Sequence, residues 1–376
     1  MRRTSSSMVA IVAILALVMT ACTSEGDGSP SASESAAATG SADATESASA
    51  APTVDYKACM VSDVGGIDDN SFNENAWAGM ERAQDELGVE VTFLESSSAE
   101  DYARNIDQHI ADGCDMLVTV GFLLGDATSA AAAANPDTRF AIVDYAYPEQ
   151  IPNVEGLVYA TAEGAMLAGY ASASWSTTGT VGTFGGINIG PGVTDFMDGF
   201  IAGVNYWNEE QGADVNVLGG RVPSDPDSGT FTGNFESTDD AAAVTQGMLD
   251  EGADVILPVG GPIGGGTFTA IEESGAEAVG IGVDVDWTES APDFTPWLLT
   301  SIIKRIDNSV FQAVERALND EAPQPTFLSN LENEGVGIAP FHEYDGEISQ
   351  EVKDAIAEMQ EMIIAGELVP SDYYGE

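Results

Sequence analysis

Residues 61–77 read VSDVGGIDDNSFNENAW, and the fold follows from how this stretch is parsed. The apolar run Ala58-Cys59-Met60-Val61 is a short strand, predicted over Ala58–Ser62. It opens into glycines, three aspartates, Asn70, Ser71 and Phe72, and a helical pattern begins near Asn73. A loop this polar at the carboxyl end of a buried strand is where open α/β sheets bind small ligands. Phe72 is the odd member: an aromatic among hydrogen-bonding side chains suggests a flat polar molecule held by its face and its edges. The loop alone leaves a second reading equally open, in which Phe72 packs beneath the following helix.

The same strand–loop–helix unit recurs along the chain, which argues for parallel α/β architecture. Strands are predicted at Val89–Leu94, Asp115–Val120, Phe140–Val143 and Val154–Tyr159, separated by helices over Ala99–Ala111 and Leu124–Ala134. Glu163–Trp175 reads as a helix whose Gly and Ala face permits close packing. Thr180–Phe184 then opens into GGINIGPG (185–192) before a helix over Thr194–Gln211. Further strands are expected at Asp214–Leu218, Val255–Pro258 and Ala278–Val283. Leu298–Ser301 leads into a helix predicted over Ile302–Leu318, and Glu351–Ile364 is the last helix. Two similar α/β halves with polar loops at their strand ends make a cleft between them.

Residues 1–22 carry Arg2 and Arg3, an apolar run over Met8–Met19 and small residues before Cys22, the pattern of a signal peptide. Met-Thr-Ala-Cys resembles a bacterial lipobox, which would make Cys22 a lipidated N-terminus; an ordinary secretory signal with an incidental cysteine is the alternative. Thr23–Thr53 has no Val, Leu, Ile, Met or aromatic residue and is expected to be a disordered tether. Its reach is roughly 30 Å root-mean-square. The body beyond it is long enough for two lobes, expected as 54–160 with 286–325 and 161–285 with 326–376.

Sixty-two acidic residues against eleven basic ones give a net charge of −51. Such a surface repels nucleic acid and anionic headgroups, so both are excluded as partners of the body. Of three cysteines, Cys59 lies on the first strand and Cys114 at the start of the third. These strands neighbour each other in a doubly wound sheet, so a disulfide is possible, although spacing does not establish its geometry. Two histidines and no cysteine cluster argue against zinc, and nothing implies another metal or a cofactor.

Asp284 and Asp286 stand two apart at a predicted strand end and would point the same way if the strand persisted. Paired carboxylates serve acid–base hydrolysis, bind a metal, or accept hydrogen bonds from a ligand; the last is favoured, because nothing else in the chain builds a catalytic centre. Lys304 is one of three lysines, and the predicted helix puts it in a first turn, where the dipole disfavours a cation. That placement suggests a task, such as pairing with Asp284 or donating to a ligand, against the alternative of a solvated surface. GGPIGGG (260–266) lacks a P-loop ending and has no basic residue nearby. It fits a neutral ligand or a tight turn better than a phosphate.

Several segments together resemble the BMP (basic membrane protein) family, the PnrA-like substrate-binding lipoproteins of bacterial ABC importers. They are DVGGIDDNSFNENAWAGMERA (63–83), VGFLLGDA (120–127), FAIVDY (140–145), EGAMLAGY (163–170), VGTFGG (181–186), DFMDGFIAGV (195–204), VGGPIGGG (259–266), IGVDVDW (281–287) and LLTSIIKRID (298–307). The resemblance covers nearly all of 57–366. It implies two Rossmann-like lobes with a ligand cleft between them, of the periplasmic binding protein type I kind, and no enzymatic activity. The implied ligand is a purine nucleoside, the implied partner an ABC permease, and the implied place the outer face of the cell membrane. A sugar, an autoinducer or another small polar metabolite in the same fold is the alternative, and a secreted hydrolase using Asp284 and Asp286 a further one.

Residue by residue, the resemblance assigns Phe72 to base stacking, with Phe196 as the opposing ring. Asp63 and Asn73 become polar contacts beside it, and Asp144 a contact on the base edge. Gly261, Asp284 and Lys304 fall on the ribose side. Asp68 and Asp69 are expected to shape the turn. Trp287 stands where family members often carry Gln, which predicts an altered hydrophobic wall.

Overall fold

The computed structural model describes residues 53–222, 224–225 and 228–375. The predicted signal peptide 1–22 with Cys22, and the predicted tether 23–53 up to its last residue, lie outside the described residues. Within them the central strands of each sheet are buried on both faces, as parallel sheets covered by helices require.

The first lobe begins with β1 (Lys57–Val61) and α1 (Phe72–Leu87). Gly88 ends α1 in the left-handed conformation at φ +74°, its N–H donating to Gln84 O. β2 (Glu90–Leu94), α2 (Ala99–Ala111), β3 (Met116–Val120), α3 (Gly125–Ala134), β4 (Arg139–Val143) and β5 (Val154–Tyr159) follow. The chain then crosses into the second lobe: α4 (Thr161–Trp175), β6 (Thr180–Gly185), α5 (Pro191–Gln211), β7 (Asn216–Leu218), α6 (Thr238–Asp250), β8 (Val255–Val259), α7 (Gly264–Ser274), β9 (Val279–Asp284), the one-turn α8 (Trp287–Ser290) and β10 (Leu298–Lys304). It returns for α9 (Ile306–Leu318) and β11 (Thr326–Ser329), and crosses a third time to β12 (Val336–Ile338) and α10 (Gln350–Ile364).

Each lobe holds one six-stranded sheet, in the order β11-β5-β4-β3-β1-β2 and β12-β10-β9-β8-β6-β7. Both contain the doubly wound series 2-1-3-4-5, with the order reversing next to β1 and next to β6. All pairings are parallel except that of β12, which runs antiparallel to β10. Two α/β lobes were expected, and two are found. Helices α4 and α5 pack backbone to backbone: a Cβ on Gly169 would strike Phe200 O, and one on Gly203 would strike Met166 O. That is the use of the small-residue face in 163–175. Among the described residues, no helix is long and apolar enough to cross a membrane.

The lobes divide elsewhere than at the expected boundaries. Residues 286–304 stay in the second lobe, because Leu298–Lys304 continues as a strand paired to β9, with Ser301 opposite Gly282 and Ile303 opposite Asp284. Thr326–Ser329 belongs to the first lobe, as a parallel edge strand beside β5. Four residues of strand carry too little periodicity to be read from sequence. The helix predicted from Ile302 therefore starts at Ile306. Cys59 and Cys114 are joined in a disulfide with Cα atoms 6.0 Å apart, tying β1 to the turn before β3. His109 lies beside them, its Nε2 3.0 Å from Met60 O.

Candidate functional site

The carboxyl ends of β1, β3, β4, β8, β9 and β10 converge on a cavity between the two sheets. Every ligand residue expected from sequence lines it: Asp63, Phe72, Asn73, Asp144, Phe196, Gly261, Asp284 and Lys304. The loop after β1 is built around Asp69. Its carboxylate accepts the backbone N–H groups of Ser71 (3.0 Å), Asn73 (2.8 Å) and Glu74 (3.1 Å), which fixes the first turn of α1 and aims Phe72 at the cavity. Asp68 is exposed. Asn73 Nδ2 donates to Asp63 Oδ1 at 2.9 Å. Gly121, at φ +105°, lets the end of β3 approach, since a Cβ there would meet Asp63 Oδ2.

Asp144 and Asp284 occupy matching places, each at the carboxyl end of the fourth strand in the doubly wound series of its lobe. Both adopt the left-handed conformation, at φ +61° and φ +70°. Aspartate tolerates this region better than most residues, and such strain concentrates at functional sites. Lys304 is the last residue of β10 and is 1% exposed. Its ammonium lies 2.5 Å from Asp144 Oδ2, and 4.9, 5.1 and 5.5 Å from the ring centroids of Tyr159, Phe72 and Phe196. Its task is therefore ion pairing across the lobes at a strand end, and the helix-dipole argument does not apply. Ser71 Oγ makes a second bond between lobes, donating to Asp284 Oδ2 at 2.7 Å.

Burial governs the charges. Asp63 is pushed up to about 8 by burial, against the opposing hydrogen bond from Asn73, and Asp69 to about 6 by burial against three backbone donors. Burial also raises Asp144 and Asp284, with Lys304 opposing the shift in both. For Asp63 the sign is set by its raised folded value: between 3.8 and about 8 the folded protein holds a proton that the unfolded chain has lost, so stability declines as the pH rises through that window. Asp63→Asn removes this penalty. Without ligand, the variant is expected to melt above the parent at about pH 9, by roughly 2–4 °C per kcal/mol relieved, and level with it near about pH 4. Calorimetric scans across that range test it; a difference that does not change with pH would show that Asp63 carries no burial penalty.

Two expectations are overturned. Asp284 and Asp286 do not form a carboxylate pair: the positive φ of Asp284 ends the strand and breaks the two-residue alternation. Asp286 instead caps α8, accepting from Thr288 N–H at 3.0 Å, and pairs with His342 Nε2 at 2.7 Å. Trp287 is not a wall of the cleft either. It is buried among Phe268, Phe294 and Leu298, its indole N–H donating to Val283 O at 3.0 Å. Sequence reasoning also missed wall residues, chiefly Phe235, Phe122 and Ile189. Phe235 lies in an irregular segment between β7 and α6 that has no period to read. It is half-buried, whereas Phe196 is 2% exposed; both line the cavity.

Asn73 Oδ1 and Asp284 Oδ1 are buried with no hydrogen-bond partner among the described residues. A buried acceptor left so costs about 1–3 kcal/mol. Both residues line the cavity, and a molecule offering donors there would satisfy them. With rings, buried carboxylates and one lysine, the cleft suits a polar molecule with a flat apolar face.

Residues 56–372 match the family described as ABC transporter substrate-binding protein PnrA-like. The ABC transporter nucleoside-binding protein BmpA of Lactococcus lactis is 31% identical over 335 residues, covering 84% of this chain and 90% of its own. A protein of Pyrococcus furiosus described as an uncharacterized lipoprotein is 30% identical over 292 residues, covering 75% of this chain and 69% of its own. Among solved structures, an ABC transporter solute-binding protein from Aeropyrum pernix superposes with a TM-score of 0.73 at 25% identity, covering 84% of this chain and 92% of that one. The chain belongs to the Bmp family of PnrA-like ABC transporter substrate-binding proteins.

Proposed function

We propose that the protein is a lipid-anchored, extracytoplasmic receptor that captures a purine nucleoside and hands it to a membrane permease. The observation that carries this reading is the pair of unpartnered buried acceptors, Asn73 Oδ1 and Asp284 Oδ1, in a cavity also lined by Phe72 and Phe235. A nucleoside offers a π face to the rings and donors to both acceptors. The base stacks on Phe72, with Phe235 as the opposing ring and Phe196 beneath. Asp63, Asn73 and Asp144 take the base edge. Asp284 accepts from a ribose hydroxyl, Lys304 donates to one, and the backbone of Gly261 borders the sugar. The name of the Lactococcus relative supports the ligand class. The anchor rests on the pattern around Cys22 and on the lipoprotein description of the Pyrococcus relative. The receptor binds and does not turn over its ligand.

Calorimetry with inosine, guanosine and adenosine tests the reading, with native mass spectrometry to identify any molecule that copurifies. Binding of one nucleoside per chain, recovered intact, is expected. Heat with a sugar and none with any nucleoside would sink the proposal, and hydrolysis of the nucleoside would sink the claim that it only binds. Phe72→Ala is expected to weaken nucleoside binding by about 1–3 kcal/mol, the scale of one base–aromatic stack. Unchanged affinity would assign Phe72 to the core.

A further inference from the structure

A second chamber adjoins the first and shares three of its walls: Phe122, Asp144 and Gly192. Beyond them its lining is largely ring and aliphatic carbon, from Tyr145, Ala146, Val158, Tyr159 and Pro191. The rings are fixed. Tyr145 is gripped edge-on by Phe122 and Tyr147, with centroids at 5.1 and 4.8 Å, and lies against Gly125, where a Cβ would come within 3.1 Å of it. The Tyr159 hydroxyl is 2.5 Å from Ser309 Oγ, so its hydrogen bonding is met inside the protein.

The one charged group in this lining is Asp144, and its carboxylate is already paired with Lys304. The chamber thus offers no free charge to a polar guest and a preformed aromatic surface to an apolar one. Between the chambers Gly192 faces Asp144 closely, since a Cβ there would stand 3.0 Å from Oδ2. A larger residue at this position would press on Asp144.

We propose that the second chamber is a subsite for an apolar substituent carried on the base of a nucleoside held in the first. The inference rests on the reading of the cleft as a nucleoside site with Asp144 at the base edge, because Asp144 is also a wall of the second chamber. A group leaving the base beside Asp144 enters the second chamber where the two share a wall, among Phe122, Tyr145 and Val158. The protein would therefore accept base-modified purine nucleosides with alkyl or aryl groups as well as unmodified ones.

The test compares adenosine with adenosine bearing a benzyl group on its exocyclic amine, by calorimetry on the purified full chain. The benzylated ligand is expected to bind at least as tightly as adenosine. Ala146→Phe and Val158→Phe fill the chamber from the loop after β4 and from β5, and neither residue lines the first cavity. Each is expected to weaken the benzylated ligand by about tenfold or more and to leave adenosine unchanged. Two variants are used so that misfolding of one, seen as loss of adenosine binding as well, leaves the other to decide. Adenosine binding with rejection of the benzylated form, or equal binding of it by parent and filled variants, overturns the subsite alone. If the parent binds neither of these nor inosine or guanosine, the nucleoside reading fails and the subsite with it; if it binds only inosine or guanosine, the subsite alone fails.

Discussion

Replacing Lys304 by alanine is expected to cost about 3–5 kcal/mol of folding stability, the scale of breaking a buried ion pair by removing one partner, and to abolish nucleoside binding. Lys304 is 1% exposed and lies against Asp144, which is itself enclosed, with the buried Asp284 nearby in the same cavity. Both carboxylates are raised by burial and held back from rising further by this lysine. Without it they must take up protons or remain as uncompensated charges in a dry site. The deficit is therefore expected to be largest at neutral pH and to shrink on acidification, as the carboxylates become neutral in both states. Urea unfolding of parent and variant at two pH values measures it. Lys304→Met combined with Asp144→Asn removes both charges and should regain most of the stability without regaining binding. If Lys304→Ala unfolds like the parent at every pH, the carboxylates were already neutral and the lysine has no electrostatic role.

The second large effect falls on Asp284. Its Oδ1, unpartnered among the described residues, and its place in the cavity underlie its proposed role as acceptor for a ligand hydroxyl. A hydrogen bond to a charged group contributes about 1.5–3 kcal/mol, so removing the carboxylate is expected to weaken nucleoside binding by roughly 10- to 150-fold. The backbone separates this from a folding defect. At φ +70° alanine is strained and glycine is not. Asp284→Gly and Asp284→Ala should lose affinity equally, while the alanine variant alone carries an added stability cost of about 1 kcal/mol. Calorimetry paired with thermal melts distinguishes the two. A glycine variant that binds as the parent does would remove Asp284 from the site.

Phe72 stood out as an aromatic in a polar loop and Asp284 as a strand-end carboxylate, because strand ends are marked by an abrupt change from β-branched to polar and glycine residues; Asp63, Asn73, Asp144 and Gly261 were singled out only by the resemblance to the BMP family. Lys304 was legible as an anomaly, yet for the wrong reason. Ile302 and Ile303 fit the apolar face of a helix as well as a strand, and only the pairing with β9 decides between them. The same ambiguity displaced the lobe boundary to 286. Asp286 misled because period-two reasoning holds only while the strand lasts, and one left-handed residue ends it. Phe235 left no trace, since an irregular segment has no period that would say which way its side chains face. Ser71 was visible within the SFN loop, but its role in bridging the lobes depends on a partner 213 residues away.

The bonds Ser71–Asp284 and Lys304–Asp144 both span the lobes, and all but Ser71 of these residues face the cavity. A guest at Asp284 or Lys304 must therefore share or displace contacts that the two halves already make with each other. Its measured affinity is a difference between two sets of bonds, and an empty receptor is not without cohesion of its own. Escape requires the clasps and the guest's contacts to give way together, while three chain crossings confine the opening movement. Residence time, more than the speed of capture, is where substitutions at these four residues should register.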